Sequence, residues 1–166
     1  MNEFEQLKSA LAADEARLQL SAFSNADALT LGLSLVRMAQ QQGKPIAVLI
    51  RRNGVQLFAH AMDGCSADHA HWLARKCRVV QRYGHSSYYM GVAYRARGTS
   101  FEAHTGLDST RYAAKGGAFP LLLRGTGMVG VVAVSGLSEQ DDHALVVQAL
   151  EQLLGAARLA EKEAQR

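Results

Sequence analysis

The chain has only two cysteines, Cys65 and Cys77, spaced neither as a zinc-binding pair nor as part of a disulfide framework. They read as reduced thiols. No apolar run approaches the ~20 residues a membrane span needs. The start, Met1-Asn2-Glu3-Phe4-Glu5, is acidic and lacks the basic-then-apolar order of a secretory signal. These absences read as a cytoplasmic protein without a membrane partner. The formal charge is only +3, and the basic groupings are limited to Arg51-Arg52 and the Arg75, Arg78, Arg82 series. A nucleic-acid binder would concentrate its charge more, so no nucleic acid is expected. Familiar hydrolytic signatures are missing as well. There is no His-Glu-x-x-His, no Gly-x-Ser-x-Gly and no carboxylate pair placed for glycosidase chemistry.

What is present is a globular composition. The 166 residues are 48% hydrophobic and 20% charged, enough for one domain spanning 1–166 with a real core. Phe4, Leu7 and Leu11 put an apolar stripe on a first helix over Met1 to Ala13. Such a stripe has few evident partners in so small a domain, which predicts a homo-oligomer larger than a dimer. Arg17 to Leu20 alternates and predicts a short strand. A second helix starts at Ser24-Asn25-Ala26-Asp27 and stops at Gly43 and Pro45. Ile46 to Ile50, an Asn53-Gly54 turn and Val55 to Ala59 spell a hairpin. Ser66 to Tyr83 is a long helix and Ser87 to Ala96 a further one. Gly98 to Thr110 reads as loop, with a short helical turn inside Ser109 to Lys115.

The C-terminal third is the most informative. Ala114-Lys115-Gly116-Gly117-Ala118-Phe119-Pro120 forms a glycine corner, and Gly125-Thr126-Gly127 a turn between two apolar strands. Ser138-Glu139-Gln140-Asp141 then caps a last helix. Gly125 to Gly130 also spells Gly-x-Gly-x-x-Gly, but β-type sequence continues through Val134, so no dinucleotide helix opens there. Two hairpins interleaved with helices predict an α/β (α+β) sandwich with a mainly antiparallel sheet.

At ~100° per residue, His69, Trp72, Lys76, Val79 and Tyr83 share one stripe of the long helix. Lys76 is a cation amid apolar neighbours. It needs a carboxylate such as Asp142, a ligand anion, or an outlet where its head snorkels to water. Gly116 and Gly117 either offer backbone N–H groups to an anion or simply make the corner. His143, in the first turn of the last helix, faces a dipole that disfavours its charged form. His69 and His71 lie two apart, which points them in different directions on a helix.

Lys-Gly-Gly-Ala-Phe-Pro, Gly-x-Gly-x-x-Gly-x-x-x-Val-Ser-Gly-Leu, Asp-Asp-His, Trp72-x-x-Arg75-Lys76 and Ser86-Ser87 together resemble the haem-degrading domain family of GlcG-like, HbpS-like and PduO C-terminal domains. The likeness is nearest to a branch of small stand-alone proteins and runs from about Asn25 to the last helix. It implies a five-stranded antiparallel sheet, profilin-like or PAS-like, with helices on both faces, and a homo-oligomer. It also implies binding of a small molecule, haem or another tetrapyrrole, although no residue here matches a family iron ligand. The candidate ligand-binding residues are Lys76, Trp72, His104, Lys115, Gly116, Gly117 and His143. Two other readings stand beside this one: an enzyme acting on a small anionic metabolite through Lys76 and the glycine corner, and a non-catalytic oligomeric interaction protein.

Overall fold

The computed structural model describes residues 2–166. Helix α1 (Glu3–Arg17) leads into a two-residue strand β1 (Gln19–Leu20) and helix α2 (Asn25–Gln42). The hairpin β2 (Ala47–Arg52) and β3 (Val55–Ala61) follows, then helices α3 (Ala67–Tyr83), α4 (Ser87–Ala96) and α5 (Phe101–Thr105). The second hairpin, β4 (Ala118–Leu123) and β5 (Gly127–Ser135), precedes the 26-residue helix α6 (Glu139–Ala164).

Local chemistry explains most boundaries. Ser24 caps α2 in a full capping box with Asp27, and Gly43 ends it in the left-handed conformation. Asn53 and Gly54 both take positive φ, 48° and 80°, as a tight hairpin turn demands. Ser138 caps α6 through the Asp141 N–H. Two sequence expectations change. Phe101–Thr105 is a short helix within the predicted loop, capped by Ser100 and ended by Gly106. The segment before Lys115 holds only a turn at 109–111, pinned where Arg75 Nε donates to the Ser109 carbonyl and Arg78 to that of Arg111.

The five strands lie in the order β1-β4-β5-β2-β3. All pairs are antiparallel except β1 with β4, so the sheet is mixed through its shortest strand. Pro120 is harmless in β4. The register puts it opposite Val131 in a pair that exchanges no hydrogen bonds, and β1 joins only further along, at Leu122. On that same edge the Ser87 hydroxyl satisfies both the N–H and the carbonyl of Ala118.

The two faces of the sheet differ in residue size. Val48, Ile50, Phe119, Leu121, Val132 and Val134 build the larger core against α2 and α6. The opposite face presents Ala47, Ala118 and Ala133 beside Leu49 and Val131, and takes Leu73, Cys77 and Val80 of α3. Small side chains let α3 lie close to the strands. Helix α1 packs on α4, where Leu7 and Leu11 meet Tyr88 and Val92 in a separate small cluster. Leu11 of the stripe is thus buried and Leu7 partly buried within the domain, while Phe4 stays exposed. Among the described residues no helix is long and apolar enough to cross a membrane.

The glycine corner is sterically closed. A Cβ on Gly116 would run into the Glu139 carbonyl oxygen. One on Gly117, at φ 135°, would meet the Val134 carbonyl oxygen and come within 2.6 Å of Lys76 Nζ. Gly116→Ala and Gly117→Ala are therefore each expected to destabilise the fold by more than the ~1 kcal/mol of an unstrained exchange. Denaturant midpoints measure this, and unchanged midpoints for both variants would refute it.

Candidate functional site

The alanine face of the sheet brings α3 near enough for Lys76 to reach β5 and the start of α6. Lys76 Nζ donates to Asp142 Oδ2 and to the Val134 carbonyl, each at 3.0 Å. Asp142 Oδ1 accepts the Leu137 N–H at 2.9 Å. The residues are 3% and 2% exposed, so this is a buried ion pair with separate donors on its two carboxylate oxygens. Burial pulls the ammonium pKa down and pushes the carboxyl pKa up, against the attraction between them. Two of the three ammonium hydrogens have partners in the protein; the third has none among the described residues.

One side of the pair borders a cavity of about 420 Å³. Trp72, Lys76 and His69 from α3 form one wall, and Lys115 and Gly116 of the corner another. The strand end at Ser135 and Gly136, with Leu137, Glu139 and Asp142, closes it, while Asp68 sits exposed in the first turn of α3. Glu139 is held by Arg95 through both carboxylate oxygens, at 2.8 and 3.2 Å. The Arg75 guanidinium lies 4.3 Å over the Trp72 ring. Ser66 N–H donates to His69 Nδ1 at 3.0 Å, which helps cap α3.

Four of the seven residues proposed from sequence thus line one cavity: Trp72, Lys76, Lys115 and Gly116. Gly117 lies directly behind, beside Lys76 Nζ. The other two lie elsewhere. His104 is exposed on α5, 5.0 Å from the Tyr94 ring. His143 is adjacent to Asp142 in the chain but lines a second cavity of about 360 Å³ between α1, α4 and α6. It is 5% exposed, between the rings of Tyr88 and Phe119. Neither ring nitrogen has a hydrogen-bond partner among the described residues, and Asp14 Oδ2 stands 4.0 Å from Nε2. Burial lowers its pKa to about 4.

Sequence reasoning placed His69 on the Trp72–Lys76 stripe without giving it a role. The stripe itself was the signal. Glu139 and Arg95 had none, since their contact spans 44 residues. Cys77, on the inward face of α3, is fully buried and its thiol is pushed up to about 12. It is no nucleophile. Among the described residues no cluster of three or more His, Cys, Asp or Glu is placed to hold a metal ion.

The α+β domain thus carries a cavity between helix α3 and the glycine corner, lined by both polar and apolar groups. The family model "Haem degrading protein HbpS-like" matches residues 23–151, and the chain belongs to that family. A UPF0303 protein of Streptomyces avermitilis is 51% identical over 144 residues, 87% of this chain and 88% of the relative. One from Azotobacter vinelandii is 44% identical over 144 residues, 87% of each chain. Among solved structures, the Ybr137w protein superposes with a TM-score of 0.82 at 30% identity, covering 90% of this chain and 88% of that one. A PduOC:heme complex gives 0.64 at 21% identity, covering 78% and 94%. HbpS gives 0.63 at 18% identity, covering 82% and 92%. The last two likenesses establish the fold.

Haem is the cofactor this kinship brings to mind, and the cavity can be tested for it. Lysines and an indole suit its propionates and ring. No lining group offers the iron an available lone pair on nitrogen or sulfur: His69 Nδ1 is engaged by Ser66, and no Cys or Met lines the wall. Iron ligation by nitrogen or sulfur does not fit these residues.

Two outcomes follow from this geometry. Lys76→Met leaves Asp142 charged and unpaired, and is expected to destabilise the protein by about 3–5 kcal/mol, read by denaturant unfolding. A loss below 1 kcal/mol would contradict the buried pair. His143, with its native pKa depressed from 6.5 to about 4, binds fewer protons folded than unfolded across that window. Its contribution is present above pH 6.5 and is lost as pH falls toward 4, by roughly 3 kcal/mol in all. The stability gap between His143→Phe and wild type should move in favour of the variant by that amount from pH 7 to pH 4; a pH-independent gap would refute it.

Proposed function

We propose that this protein binds a small carboxylate-bearing molecule in the cavity between α3 and the glycine corner. The observation that carries this is the imbalance of unengaged groups in the wall. Asp142 and Glu139 are neutralised by Lys76 and Arg95. The Lys115 ammonium, the third Lys76 hydrogen and the Trp72 indole N–H remain as donors, against the single exposed carboxylate of Asp68. Lys76 is buried, Trp72 half-buried and Lys115 exposed at the rim, and donors without acceptors favour an acceptor-only ligand. The Trp72 ring adds a flat apolar surface, which suits an aromatic or tetrapyrrole body. Haem or a related porphyrin is the ligand that the names of the relatives support, and its propionates supply the same carboxylates. Exposed leucines such as Leu29 and Leu33, one turn apart on α2, offer apolar surface that a homo-oligomer would cover.

A second reading, an enzyme acting on an anionic metabolite, is favoured by one observation: a lysine with a lowered pKa borders the same cavity. Turnover of a bound carboxylate would separate it from simple binding.

Trp72 is the only tryptophan, so intrinsic fluorescence reads the cavity directly. Titration with haem and with a panel of aromatic and aliphatic carboxylates is expected to give at least one saturable fluorescence change. Lys115→Glu, at an exposed position, should weaken that binding by about tenfold or more while leaving the fold intact. Flat titrations throughout, or equal affinity in Lys115→Glu, would overturn the proposal.

A further inference from the structure

His69 caps α3 and lines the cavity at the same time. The capping contact fixes its chemistry. A backbone N–H can only donate, so the Nδ1 that meets it at 3.0 Å must present a lone pair. The ring hydrogen of the neutral imidazole then sits on Nε2. That nitrogen becomes a donor with no lone pair to give a metal. Protonating the ring would not free one either, because the imidazolium donates from both nitrogens and loses the cap. The other polar groups facing the space point the same way. Lys76 and Lys115 are ammoniums and Trp72 is donor-only. Asp142 and Glu139 are occupied by cations. Only Asp68, exposed at the mouth, keeps an unpaired carboxylate.

We infer that His69 is the specificity-determining residue of the cavity: its Nε2–H, locked by the Ser66 N–H, donates to the ligand carboxylate. The same lock keeps this imidazole from ligating a metal, so a metalloporphyrin is held by its propionates and not by a histidine on its iron. This rests on the functional reading above. Position 69 is the third residue of α3, where glutamine and glutamate both complete a capping box. Glutamine turns its carbonyl to the Ser66 N–H and keeps an N–H₂ donor for the cavity. Glutamate keeps the cap and offers only acceptors.

Side-chain nitrogen NMR of the ligand-free protein at pH 7.5 is expected to show His69 as the Nε2–H tautomer. The Nδ1–H tautomer there overturns the inference without touching the functional reading. Haem and metal-free protoporphyrin IX, titrated against Trp72 fluorescence, are expected to bind within about threefold of each other, since both carry the two propionates. His69→Gln should retain binding of the metal-free porphyrin, and His69→Glu should lose about tenfold or more. Haem binding a hundredfold or more tighter than the metal-free ring would overturn the inference, as would His69→Glu matching His69→Gln. If neither porphyrin nor any member of the carboxylate panel binds, the carboxylate role falls, and the NMR result tells which premise failed. Nε2–H with no binding faults the functional reading, and Nδ1–H faults the lock.

Discussion

The buried pair of Lys76 and Asp142 is the constraint around which this molecule is arranged. Two ions withdrawn from water cost several kcal/mol each unless their geometry is good and their remaining bonding capacity is met. Here the conditions are met by distant parts of the chain. The strand end gives the Val134 carbonyl, the turn into α6 gives the Leu137 N–H, and the corner gives up its side chains at Gly116 and Gly117. Helix α3, strand β5, the β4 corner and the start of α6 are therefore fixed relative to one another by a few polar contacts. A cavity bounded by those four elements inherits their rigidity, which is what a preorganised binding surface requires.

The asymmetric sheet makes this arrangement reachable. Large side chains on one face fill the space beneath α2 and α6, while alanines on the other allow α3 to approach. Were the second face built of leucines, α3 would stand further off and a lysine at position 76 would fall short of β5. Core composition and site geometry are in this sense one feature.

Much of the fold was legible in the sequence because its signals are local. Capping serines, the Asn-Gly turn and the apolar runs each act within a few residues, and all appear where expected. What escaped was non-local or too short. Phe101–Thr105 carries little periodicity in five residues, and although the sequence predicts a short strand over Arg17 to Leu20, it does not show that strand's partner. The parallel pairing of β1 and β4 spans about a hundred residues and leaves no local mark. The site was half legible. Helical spacing put Trp72 and Lys76 on one stripe, and charge logic named Asp142 as a partner. Histidines were harder. His69, His104 and His143 look alike as letters, yet one caps a helix beside the cavity, one lies in the open and one is sealed between aromatic rings. The partner of a histidine's second nitrogen decides among such roles, and that is not written in its neighbours along the chain.

Cys77 follows Lys76 and points into the alanine face of the sheet. No reagent can reach its sulfur while α3 is seated, and a thiol held near pKa 12 would scarcely ionise there. Cys65, half-buried just before the helix, is within easier reach. Alkylation kinetics at the two positions are thus governed by different events: local access at the first, and lifting of α3 off the strands at the second. The chain carries an internal clock for the cohesion of its own ion pair, readable by mass spectrometry without altering a single residue.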